Sequence, residues 1–234
     1  MNRSSSAEGP ISAPKMRDTG KARDTSPPPE KLTLAALRRE AADCSRCPLY
    51  RNATQTVFGE GPEDAALMFV GEQPGDREDV AGRPFVGPAG ALFDRALAEA
   101  RIARESVYVT NAVKHFKFQP RGKRRIHQKP NAGEIKACRW WLEREWAAVA
   151  PVVVVALGAT AAQSLMGRPI PIMKNRGPTE FSWPGFAHQA GFITVHPSSL
   201  LRLPEHAQRA EAYDAFVADL RRIRRMLETH AGAA

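Results

Sequence analysis

Four short apolar runs constrain this chain most. They are Ala66-Leu-Met-Phe-Val70, Val107-Tyr-Val-Thr110, Val152-Val-Val-Val-Ala-Leu157 and Phe192-Ile-Thr-Val195. Each is continuous rather than alternating, the pattern of strands covered on both faces. Residues at helical spacing lie between them: Ala89 to Ala100, Gly133 to Val149 and Thr160 to Leu165. Another such stretch begins at Leu32. A last one runs from about Glu205 to Glu228, with Arg221-Arg-Ile-Arg-Arg225 on its basic face. Strand–helix alternation predicts an α/β chain: a three-layer α/β/α sandwich around a central four-stranded parallel sheet.

Residues 1–30 are rich in Ser, Pro, Gly, Lys and Arg. They cannot bury enough apolar surface to offset their ordering entropy, so they are expected to form a disordered basic tail. Residues 31–230 are expected to form one folded domain. With 34 Lys and Arg against 25 Asp and Glu, the net charge of +9 favours an anionic partner, nucleic acid first. Three cysteines do not make a disulfide framework. No apolar run has the length of a membrane span, and the N-terminus lacks an apolar signal core. The expectation is a cytoplasmic monomer with no membrane partner.

Ligands of such folds gather at the carboxyl ends of the strands. Each expected strand is followed there by a polar turn: Gly71-Glu-Gln-Pro-Gly-Asp76, Asn111-Ala-Val-Lys-His115, Gly158-Ala-Thr160 and His196-Pro-Ser-Ser199. Any one could be an ordinary loop; four on one rim are hard to attribute to packing. Gly82-Arg-Pro-Phe85-Val-Gly87-Pro-Ala-Gly90 precedes a helix whose first N–H groups suit an anion. Phe85 either stacks on a base or packs beneath the loop.

Cys44-Ser-Arg-Cys47 is half of a zinc site, a redox pair or half of an iron–sulfur site. Cys138 is a third ligand or a buried structural thiol. His115 is the best-placed non-cysteine fourth ligand. The segment from Lys117 to Pro130 holds six Lys or Arg residues and one histidine, His127. It is either a solvated loop or a phosphate-binding segment carrying a nucleophile or base. His196 is either a structural histidine or a donor to a developing anion.

Together these motifs resemble the uracil-DNA glycosylase superfamily, its family 4 iron–sulfur branch and, within that, the UdgX group. The resemblance runs from about Leu34 to Arg225. Gln73 replaces the alanine of the family 4 Gly-Glu-Ala-Pro-Gly motif. His196-Pro197-Ser198 matches the family's last motif. Thr110-Asn111-Ala112-Val113-Lys114-His115 matches a segment in which family 4 has cysteine at the last position. The inserted Lys-Arg-Arg-Ile-His stretch, Lys123 to His127, is the most specific UdgX feature.

The resemblance implies a structural [4Fe–4S] cluster on Cys44, Cys47, His115 and Cys138. It implies that Phe85 stacks on a flipped uracil, Asn111 pairs with its edge, and Gln73 and Asp76 line the same pocket. His196 would stabilise the uracil oxyanion. His127 would attack the anomeric carbon, with Glu72 orienting it and accepting its proton, and a stable protein–DNA adduct would result. Lys123, Arg124, Arg125, Ser198 and Arg202 would contact DNA, single strands being preferred, and free uracil would leave. Two rivals stand beside this reading: a turnover glycosylase using water, and a non-catalytic zinc-bound nucleic-acid-binding module.

Overall fold

The computed structural model describes residues 33–183 and 186–231; the expected tail lies outside the described residues. Five strands form the main sheet: β1 (Leu67–Gly71), β2 (Tyr108–Asn111), β5 (Val153–Leu157), β6 (Gly177–Trp183) and β7 (Phe186–Thr194). Their order is β2-β1-β5-β7-β6. The first four are mutually parallel, as expected, whereas β6 adds an antiparallel edge. The four-stranded expectation therefore falls one strand short. Gly177-Pro178 disguises β6 in the sequence, and an edge is where a sheet tolerates proline.

Continuous apolar character has a direct structural cause. Met68, Val70, Val154, Ala156 and Ile193 join one core with Trp141, Leu142 and Trp146. Their strand neighbours Phe69, Val155 and Phe192 join a second core with Phe93, Leu97 and Phe216. Side chains alternate between faces, and a helical layer covers each face. The first layer contains α1 (Leu34–Ala42), α4 (Ala132–Val149) and α5 (Ala159–Met166). The second contains α3 (Pro88–Glu99) and α8 (His206–Ala231). The fold is thus the expected three-layer α/β/α sandwich.

Short elements complete the rim: α2 (Asp76–Ala81), α6 (Ile172–Asn175) and α7 (Pro197–Leu201). The basic Lys117–Pro130 segment is not merely a solvated loop. It forms a hairpin of β3 (Phe118–Arg121) and β4 (Arg124–His127), turning at Gly122, whose φ of 59° suits glycine. No described helix is long and apolar enough to cross a membrane.

Candidate active site

Parallel register brings the polar turns together. Gly71 pairs with Asn111 and Leu157 with Thr194, so Glu72, Asn111, Gly158 and His196 emerge on one rim. They border a cleft of about 1020 Å³ that also takes in Phe85 and His127.

Glu72 links the sheet to the hairpin. Its Oε2 accepts a hydrogen bond from Thr160 Oγ1 at 2.5 Å, and Oε1 lies 3.2 Å from His127 Nε2. Burial pushes its pKa up, but the bonds from His127 and Thr160 and the nearby His196 outweigh that and hold it below the usual carboxylate range. The side chains of His127 and Glu72 are 47% and 24% exposed, so the pair is open to a ligand entering the cleft.

His196 caps α7. Its Nδ1 accepts the Ser198 N–H at 3.2 Å and lies 2.8 Å from Ser198 Oγ. A nitrogen that accepts from an amide carries no proton, so the neutral ring holds its proton on Nε2. Burial lowers its pKa to about 4, against the pull of Glu72. His196 is therefore a neutral donor at pH 7. Ser198, expected at DNA, fixes this tautomer through the contacts just given.

Phe85 sits with a left-handed φ of 57°. Its ring packs on Phe93 at 5.2 Å and lies nearly parallel to His196 at 6.0 Å. One face of the ring thus packs beneath the loop, and the residue also lines the cleft. The conformation depends on Gly90, where a Cβ would sit 1.8 Å from the Phe85 carbonyl oxygen. Gly71 is equally confined: a Cβ there would lie 2.4 Å from Asn111 Oδ1 and 2.8 Å from Phe85 Cζ. Asn111 is only 3% exposed.

Three of the expected site residues also make contacts at the hairpin. Gln73 lines the cleft, and its amide also holds the hairpin: Nε2 donates to the carbonyls of Lys117 (3.2 Å) and Gln128 (3.1 Å), and Oε1 accepts the Lys117 N–H (3.2 Å). Asp76 also lines the cleft and accepts from Arg125 Nε at 2.5 Å. Arg125, expected at phosphates, turns inward to Asp76 and to the buried Asp79, 2.5 Å from its Nη1. Lys123 and Arg124 remain exposed at the hairpin tip, and exposed Arg202 borders the cleft.

Cys44, Cys47 and Cys138 are buried, free and part of one core, with His115 also buried. The Trp141 indole N–H donates to Cys44 Sγ at 3.0 Å, and the Lys114 amide to Cys138 Sγ at 3.1 Å. Burial pushes the Cys138 thiol up to about 12, Lys114 opposing, with Cys47 and Cys44 near enough to raise it further. His115 donates or accepts at Nε2 with Thr56 Oγ1 (2.9 Å), while its buried Nδ1 has no hydrogen-bond partner. An unpartnered buried ring nitrogen and three buried thiols are donor types that suit an iron–sulfur cluster. Among the described residues, no three His, Cys, Asp or Glu side chains converge tightly enough for a single metal ion.

Sequence reading missed several residues that shape the site. Glu78 accepts the amides of Gly75 (3.1 Å) and Gly87 (2.7 Å), strapping together the two glycine-rich turns. Lys114 and Glu145 form an ion pair with both side chains 0% exposed, and Lys114 Nζ also donates to the Asn111 carbonyl at 2.8 Å. A lysine inside the Asn111–His115 motif was the available signal for that pair.

Comparison with known proteins gives this rim and sheet a family. The model of the uracil DNA glycosylase superfamily matches residues 58–221, and the chain belongs to that superfamily. The type-4 uracil-DNA glycosylase of Thermotoga maritima is 42% identical over 160 residues, covering 68% of this chain and 78% of the relative. That of Pyrobaculum aerophilum is 35% identical over 181 residues, 74% and 87% of the two chains. That of Archaeoglobus fulgidus is 42% identical over 131 residues, 56% and 62% of the two.

Proposed function

We propose that this chain is a uracil-DNA glycosylase of the UdgX kind, which excises uracil and then retains the deoxyribose on His127. The observation carrying the reading is the 3.2 Å approach of His127 Nε2 to Glu72 Oε1 at a cleft shared with Phe85, Asn111 and His196. The flipped base stacks on Phe85 while the Asn111 amide pairs with its edge. As the glycosidic bond breaks, its electrons pass to uracil, and the His196 Nε2–H donates to the oxyanion. The sugar is left as an oxocarbenium ion. One imidazole nitrogen of His127 bonds to the anomeric carbon, and the ring nitrogen facing Glu72 passes its proton to the carboxylate. The products are free uracil and a protein–DNA adduct, and the molecule acts once.

Cys44, Cys47, His115 and Cys138 hold a [4Fe–4S] cluster in this reading; when bound it supplies a cross-link between the N-terminal segment and α4. Lys123, Arg124 and Arg202 meet phosphates. The chain works as a cytoplasmic monomer and prefers single-stranded DNA.

A second reading, turnover with water as nucleophile, draws on the type-4 relatives. Boiling the protein with uracil-containing single-stranded DNA in detergent and running a gel separates the two. A shifted band, absent for His127→Ser, supports capture. Free abasic DNA accumulating beyond one equivalent supports turnover and sinks capture.

A further inference from the structure

The acids around the cleft are almost all occupied. Asp76 and Asp79 bind Arg125, and Glu78 binds two backbone amides. Glu72 alone faces the cleft with one oxygen directed at a candidate nucleophile and the other held from behind. What holds it is Thr160, a fully buried residue in the first turn of α5, just past Gly158 and its left-handed φ of 87°.

We infer that Thr160 is a positioning residue for the reaction, the third member of a chain running Thr160–Glu72–His127. The inference rests on the proposed roles of Glu72 and His127. A nucleophile is activated by a base, and the base is oriented by a third group. His127 is half exposed on a hairpin, whereas Thr160 belongs to the core; Glu72 alone touches both. One oxygen of Glu72 fixed by the threonine hydroxyl leaves Oε1 as the acceptor toward the imidazole. The hydroxyl also stabilises the ionised carboxylate. The titratable groups facing Glu72 are His127 on β4 and His196 at the start of α7. Both lower the pKa of Glu72, as the Thr160 hydroxyl does.

The test is the rate of adduct formation at saturating uracil-containing DNA, measured across pH for wild type, Thr160→Val and Thr160→Ser, with thermal melts of each. Valine keeps the shape and removes the donor. It should slow the reaction about tenfold or more, a hydrogen bond to a charged group being at stake. The DNA concentration at half-maximal rate should stay unchanged. The acid limb of the profile should move to higher pH, because a carboxylate that loses a donor binds its proton more tightly. Serine should restore both. Thr160→Ala, which removes the hydroxyl without adding a methyl in its place, gives the same reading if valine melts early. A wild-type rate with an unmoved acid limb in both Val and Ala variants overturns the inference. If wild type makes no adduct but releases uracil repeatedly, capture on His127 fails instead. The same comparison on uracil release then decides for or against Thr160.

Discussion

Arg125 and Asp79 meet at 2.5 Å, the aspartate carboxylate fully buried and the guanidinium partly exposed. The contact joins the hairpin to α2. Thr54 supplies a backbone and a hydroxyl hydrogen bond to the same carboxylate, at 3.0 and 2.5 Å. One of the hairpin's cations is thus structural, although its neighbours Lys123 and Arg124 point outward at the tip.

Arg125→Gln should therefore cost about 2 kcal/mol of stability, less than a fully buried pair because solvent screens the arginine. Lys123→Gln should cost almost nothing and instead weaken DNA binding with a shallower salt dependence. Chemical denaturation and binding titrations at several salt concentrations check the two outcomes.

Gln73→Ala removes three hydrogen bonds to the base of the hairpin. The expected result is slower adduct formation, by about tenfold, with discrimination of uracil against cytosine and thymine unchanged. Relaxed base selectivity on the detergent gel would give Gln73 a contact with the base as well.

The His196 pKa of about 4 lies below the ordinary histidine value near 6.5. Between those values the unfolded chain binds a proton that the folded chain does not. Stability is fully present above about pH 6.5 and falls as pH drops toward 4, by at most about 3 kcal/mol from this group. His196→Gln should flatten that slope in thermal melts taken across the range.

Lys114→Met leaves Glu145 charged and unpaired in the core, at a cost of about 3 to 5 kcal/mol. The double variant Lys114→Met, Glu145→Leu should recover much of that loss. Urea denaturation of the three proteins measures the coupling, and simple additivity would show that the two residues act independently.

A brown protein with visible absorbance, bleached by an iron chelator, is the expected outcome of purification. His115→Cys should keep the colour, whereas His115→Ala should lose it. A colourless protein carrying stoichiometric zinc would sink the cluster.

The rim was legible because parallel strands end together: naming four apolar runs also names the turns beyond them. That is how Glu72, Asn111 and His196 were found together. What lay hidden depends on contacts between distant segments. The acids that hold Arg125 stand 46 and 49 residues away in sequence. The partners of Gln73 are hairpin carbonyls, which no residue type advertises. Pro120 and the charges around it concealed β3, which pairs Pro120 with Arg125 across a two-stranded ladder. Lys114 read as part of a polar motif, yet its side chain is sealed in the core by Glu145.

The backbone carbonyl of Phe85 fills the place where any side chain at position 90 would begin. The two positions consequently share one fate in descent. A methyl group at 90 cannot be absorbed by a rotamer change, since it meets main chain, so residue 85 would have to abandon its left-handed turn. Its ring would then swing out of alignment with His196. Libraries built to retune base selectivity should randomise the side chain at 85 while holding position 90 invariant.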